Sequence, residues 1–212
     1  MKKILAAAFV MFQTEVAFAE TISIDIWGDN WFSVSVNGEE VLTDPVSITT
    51  ERSFNKESAS FEVNLPAQIA ITAKDYKEND TGLEYINTNR QQMGDGGLIA
   101  QFKNSDGTVI GVTDASAKCL VIHHSPIDVS CADESDPQEG VGACASESAA
   151  EPENWQFADF DDSAWPNAFE YTEDVVSPRF GYDEVEWDSS AKLIWSDSLL
   201  QDNTLLCRMV LQ

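Results

Sequence analysis

Thr21–Gly38 reads TISIDIWGDNWFSVSVNG, with an apolar side chain at every second position over most of its length. Ile22, Ile24 and Ile26 share one face, and Ser23 and Asp25 take the other. This period of two marks a strand with one buried face. After a turn predicted at Gly28-Asp29-Asn30 the alternation resumes, with Phe32, Val34 and Val36 inward and Ser33 and Ser35 outward. Asn37-Gly38 then supplies the two left-handed positions of a type I′ hairpin turn.

The same pattern spreads outward. Strands are predicted at Ser60–Leu65 and Gln68–Lys74, with Pro66-Ala67 between them and inner faces formed by Phe61, Val63, Ile69, Ile71 and Ala73. From Asp75 to Gly97 the pattern stops, and Asp, Asn, Thr and three glycines (Gly94, Gly96, Gly97) indicate a long loop. Leu98–Lys103 and Thr108–Thr113 flank Asn104-Ser105-Asp106-Gly107 as a second hairpin. Lys118–His123, Lys192–Trp195 and Thr204–Leu211 are further strands. No amphipathic helix longer than two turns and no internal repeat is evident, so the expected fold is an all-β antiparallel sandwich with long loops.

The first nineteen residues read as a signal peptide. Lys2 and Lys3 precede an apolar run from Ile4 to Phe12, and Ala17-Phe18-Ala19 is an A-x-A cleavage signature. The run is too short to span a bilayer, which needs about 20 apolar residues. The expectation is an exported protein, extracellular or periplasmic, with one domain over residues 20–212. Loss of the leader removes Lys2, Lys3 and Glu15, one net positive charge, and takes the formal charge from −25 to −26. So acidic a chain repels nucleic acid and anionic headgroups, and it suits divalent cations, basic partners or simple solubility. Four cysteines in an exported chain allow two disulfides in three connectivities. The favoured pairing is Cys131–Cys144, clipping an acidic, Ala/Ser/Gly-rich insertion around residues 130–153, with Cys119–Cys207 tying the middle of the chain to its last strand.

Three stretches resemble the galactose-binding-like jelly-roll family, the β-sandwich modules that accompany many glycosidases. Asp29–Gly38 (DNWFSVSVNG) is similar to the family's strand, Asn-Gly and strand opening. Asn154–Pro166 (NWQFADFDDSAWP) resembles its "W…FDDSxWP" loop, and Ala191–Trp195 with Leu205–Arg208 resembles its closing strand pair. The three occur in the family's order and bracket most of residues 20–212. The resemblance implies a jelly roll that binds carbohydrate without catalysis. In the second stretch Asp161, Asp162 and Ser163 are expected to cap a turn, with Trp155, Phe160 and Trp165 folding over the sandwich edge as structural residues.

Sugar binding needs aromatic faces and planar polar groups. Trp27, Asp29, Asn30 and Trp31 offer both, because strand parity turns the two tryptophans away from the inward faces; alternatively a second sheet or the long loop covers them. Tyr76 and Tyr85 sit in the long loop and could line a sugar groove. Asp75, Glu78, Asp80 and Glu84 in the same loop could instead cage calcium, which takes six to eight oxygens. The alternatives to a glycan module are therefore a calcium-crosslinked adhesive matrix protein or an exported copper-binding protein. The last would use His123 and His124, which as strand neighbours point to opposite faces, with Met93 or a free cysteine. No nucleophile elbow, defensible triad or phosphate loop is present, and with 37 acidic residues chance carboxylate pairs carry no signal, so no enzymatic activity is predicted.

Overall fold

The computed structural model describes residues 19–48, 53–76 and 78–212. All of the predicted leader but Ala19 lies outside the described residues. Fourteen strands follow in chain order: β1 Glu20–Asp29, β2 Trp31–Val36, β3 Glu39–Thr43, β4 Asn55–Val63, β5 Ala67–Lys74, β6 Leu83–Glu84, β7 Gln92–Met93, β8 Gly97–Lys103, β9 Val109–Val112, β10 Lys118–His124, β11 Glu147–Ser148, β12 Phe169–Tyr171, β13 Leu193–Trp195 and β14 Asp202–Leu211. The single α-helical turn among them, α1, covers Glu173–Val176.

Among the described residues all pairings are antiparallel, and they build two six-stranded sheets and a two-stranded one, β6-β7. The first runs β12-β13-β8-β1-β4, with β9 also on β8; the second runs β11-β10-β14-β5-β2-β3. Their facing sides make the core that the period-two pattern calls for. Ile22, Ile24 and Ile26 of β1 and Ala100 and Phe102 of β8 pack against Phe32 and Val34 of β2, Ile69 and Ile71 of β5, and Leu205 of β14. Each of these side chains is at most 1 % exposed, which is the burial that makes the alternation stabilising.

One expectation changes in a way that matters for function. Gly28-Asp29-Asn30 is not a turn joining paired strands: β1 continues through Gly28 and Asp29, opposite Leu98 and Gly97 of β8. The chain then passes through a cis Asp29–Asn30 peptide into β2, which belongs to the other sheet. Similarly, β4 starts at Asn55 rather than Ser60, and the cis Leu65–Pro66 link carries the chain from the first sheet to the second. The Asn37-Gly38 hairpin forms as predicted between β2 and β3, with Asn37 at φ +50° and Gly38 at +88°.

Both sheets are also covered outside. Trp27, Ile99, Val176, Tyr182, Ala191 and Leu193 form a second apolar cluster on the outer face of the first sheet. On the second sheet, Trp155 and Trp165 cover Ala70 and Leu206. Arg208, 3 % exposed, anchors that cover: Nε donates to Asp162 Oδ2 (2.7 Å), Nη1 to the carbonyls of Trp155 and Phe157, and Nη2 to Gln68 Oε1 (3.0 Å) and Phe160 O. Asp161 accepts from Ser163 N (3.0 Å) and caps the turn, and Phe160 packs edge-on to Trp165. Trp155, Phe160 and Trp165 are thus packed over the sheet, as expected.

Both disulfides have the favoured pairing. Cys119–Cys207 joins directly opposed residues of β10 and β14, and Cys131–Cys144 joins two short 3-10 turns in the acidic insertion. Their sequence separations are 88 and 13. On a chain-entropy account those separations correspond to about 4–5 and about 3 kcal/mol. No helix among the described residues is long and apolar enough to cross a membrane.

Candidate functional site

The ends of β1, β5 and β8 meet at one end of the sandwich, and each brings a carboxylate. Asp29 closes β1, Asp75 follows β5, and Asp95 lies just before β8. Glu84 joins them from β6, which pairs with β7 inside the long loop. That loop is packed rather than loose: Thr81, Leu83 and Glu84 are buried. Asp29, Asp75 and Glu84 are 4 %, 1 % and 4 % exposed, so three acidic side chains are almost wholly removed from water.

The electrostatics of this cluster are unfavourable on its own terms. Burial, then the charges of Asp95 and Glu84, push the Asp29 carboxyl well above the ordinary 3.8. Burial does the same to Asp75, reinforced by Asp29, Glu84 and Asp95 and only partly offset by Asn203. Asp95 is raised by burial and drawn back by the Arg179 guanidinium. Asp29 Oδ1 and Asp75 Oδ1 are buried and accept no hydrogen bond. Buried acceptors are normally satisfied, and each orphan costs about 1–3 kcal/mol.

A cleft of about 360 Å³ opens onto Asp29, Glu84 and Asp95. Its walls include Phe54, Tyr85 and Phe180, and Arg90 and Arg179 stand among them. Phe54 and Phe180 lie 5.7 Å apart at 33°, and the Arg90 guanidinium sits 3.9 Å over the Tyr85 ring. Phe180 is 67 % exposed, a large apolar surface on the rim of a polar cleft. Glycines allow the approach. A Cβ on Gly94 would stand 2.3 Å from Asp75 Oδ2, and one on Gly96 would stand 2.2 Å from Trp195. Gly94-Asp95-Gly96-Gly97, which in sequence looks like a flexible turn, is therefore a close-packed floor.

The predicted sugar-binding residues separate. Asp29 and Tyr85 line the cleft. Trp27 is fully buried and cannot stack on a ligand; its Nε1 donates to the carbonyls of Arg179 (2.9 Å) and Phe180 (3.0 Å), and so it holds the cleft wall from behind. Asn30 is also fully buried, with Oδ1 accepting from Tyr76 N (2.5 Å). Tyr76 is half-buried beside it. Trp31 is half-buried on the outer face of the second sheet, in a separate groove of about 530 Å³ with Ser33, Thr72 and Lys74, whose Nζ lies 4.8 Å from the indole. Among the described residues, none that lines that groove has a buried polar atom without a partner.

Of the predicted calcium ligands, Asp75 and Glu84 join the cluster, whereas Glu78 and Asp80 are exposed outside it. Among the described residues no three His, Cys, Asp or Glu side chains are placed to hold one metal ion. His123 and His124 are each engaged through Nδ1, the first with Asn203 Oδ1 (3.0 Å) and the second with Asp202 Oδ1 (2.5 Å). The cysteines all lie in disulfides, which leaves no thiolate for a copper site among the described residues.

Sequence reasoning missed Asp95, Phe54, Arg90, Arg179 and Phe180. Only the crowding of glycines around Asp95 was a usable signal, because glycine serves close backbone approach as well as flexibility. The chain matches no family model, no curated protein and no solved structure.

Proposed function

We propose that this protein is a non-catalytic carbohydrate-binding module, exported from the cell, whose site is the acidic cleft. The observation that carries the proposal is Asp29, a 4 % exposed carboxylate with an unpartnered oxygen, lining a cleft walled by aromatic rings. Sugars bring many hydroxyl donors and flat C–H faces, which answer those two features respectively. The cleft volume falls within the range of small-molecule sites, about 300–1,000 Å³. The ordered trio of galactose-binding-like stretches supports the same function, as does the antiparallel sandwich they lie on.

Titration calorimetry against a broad glycan panel, with calcium and with a chelator, tests the proposal. Saturable binding to one glycan class is expected. Tyr85→Ala should weaken it by about tenfold, the scale of one lost aromatic contact. No binding anywhere on the panel, or full affinity in both Tyr85→Ala and Asp29→Asn, would reject the site.

A further inference from the structure

We propose that the cleft is completed by oxidation: closing Cys131–Cys144 seats the acidic insertion against β6 and β7, and that contact holds Glu84, Tyr85 and Arg90 in the cleft wall. The inference rests on the cleft being the binding site and adds what assembles it. β6 and β7 form a sheet of their own with two residue pairs, Leu83 with Met93 and Glu84 with Gln92. A two-stranded ladder is at best marginally stable in water by itself. Successive side chains of a strand point to opposite sides, so this ladder has two unlike faces. Glu84 and Gln92 line the cleft and are bonded to each other at 3.1 Å. Leu83 is fully buried against Cys131 and Cys144, and Ile86, Met93, Ala132 and Ala143 close around them. The disulfide is thus the centre of the small core behind the cleft wall.

Polar contacts tie the same two segments. Gln91 Nε2 donates to the carbonyls of Ala132 (2.9 Å) and Glu134 (2.7 Å), and Asn79 Nδ2 donates to that of Pro137 (3.2 Å). Where the insertion leaves β10, Ser125 Oγ donates to Asp80 O (2.8 Å), and a Cβ on Gly82 would stand 1.9 Å from Ser125 O. The insertion has little else to fix its shape. From residue 127 to 148 only Cys131, Pro137 and Cys144 are buried, and the stretch carries six acidic residues and no lysine or arginine. Segments so charged and so poor in apolar residues do not order alone. Cys119–Cys207 lies apart, in the core between the two large sheets, so the sandwich keeps its own bridge. Closing Cys131–Cys144 takes two electrons and two protons from its thiols; a disulfide oxidant accepts them by exchange and leaves as two thiols. For a chain exported as proposed, the cleft would then assemble only outside the reducing interior of the cell.

Hydrogen exchange on the double variant Cys131→Ala with Cys144→Ala, oxidised at Cys119–Cys207, tests this without a ligand. Amides of residues 79–94, among them Gly94 N on Gly82 O, should exchange on the order of a hundredfold faster than in wild type, the scale of closing a loop with a separation of 13. β1, β5 and β14 should keep wild-type protection. Gln91→Ala, with both disulfides intact, should speed the same amides by about tenfold through two lost hydrogen bonds. Unchanged protection of residues 79–94 in the double variant would overturn the inference. So would loss of protection that spreads to β5 and β14, because the bridge would then hold the whole fold and not the cleft. Any glycan that wild type binds should bind the double variant at least about tenfold more weakly, since affinity scales with the assembled fraction. Full affinity there would overturn the inference and leave the binding site standing. A wild type that binds no glycan removes the carbohydrate reading, while the exchange result still decides how the cleft is assembled.

Discussion

Asp75 is 1 % exposed, has one oxygen with no donor, and faces three other carboxylates. Its folded pKa lies well above the ordinary 3.8, so the folded protein holds this proton more tightly than the unfolded chain does. The stability this confers is complete below the unfolded pKa and is lost as pH rises through the folded value. Asp75→Asn removes the ionisation and keeps the shape. Denaturation across pH should therefore show the variant equal to wild type in acid and more stable by about 1–3 kcal/mol at neutral pH, the scale of one relieved buried polar group. Parallel curves at all pH values would mean that Asp75 carries no such penalty. At this scale the sequence was legible only in part. Strand parity correctly turns Trp27 away from the isoleucine face, but parity says nothing about what lies on the other side, and residues 176–193 cover it. Asp29 and Tyr85 were identifiable from local chemistry, whereas Asp95 and Phe180 reach the cleft only through tertiary packing.

Between residue and molecule, the 154–166 segment shows how an irregular element is fixed. It has almost no regular backbone ladder, so its carbonyls bond to a single guanidinium: Arg208 reaches Trp155, Phe157 and Phe160 as well as Asp162 and Gln68. Arg208→Lys keeps the charge but cannot reproduce a planar fork with five donors. It should destabilise the protein by about 2–3 kcal/mol, allowing for the partial exposure of Asp162. Trp155 and Trp165 emission should shift to the red at denaturant concentrations where wild type is unchanged. An unaltered midpoint and spectrum would show that aromatic packing alone holds the segment. The hairpins at Asn37-Gly38 and Asn104–Gly107 were readable because their turn chemistry is local. The passage from β1 to β2 was not, since apolar alternation is the same whether two strands pair in one sheet or face each other across the core.

Across the whole molecule, 37 acidic residues stand against 12 basic ones, with an isoelectric point of about 4.1. Two kinds of destabilisation then coincide at neutral pH: repulsion over the surface, and the buried cluster of Asp29, Asp75, Glu84 and Asp95. Salt separates them. Raising the ionic strength from 0.01 M to 1 M shortens the Debye length from about 30 Å to about 3 Å, which screens surface charges but hardly reaches buried ones. Sodium chloride should therefore raise the melting temperature at neutral pH and have little effect near the isoelectric point. The advantage of Asp75→Asn over wild type at neutral pH should survive in high salt, because Asp75 has no contact with the ions. If that gap closes as salt is added, the penalty on Asp75 comes from the surface field rather than from burial, and the acidic floor is better solvated than its packing implies. If it persists, the penalty belongs to the burial of Asp75 itself, where added ions do not reach.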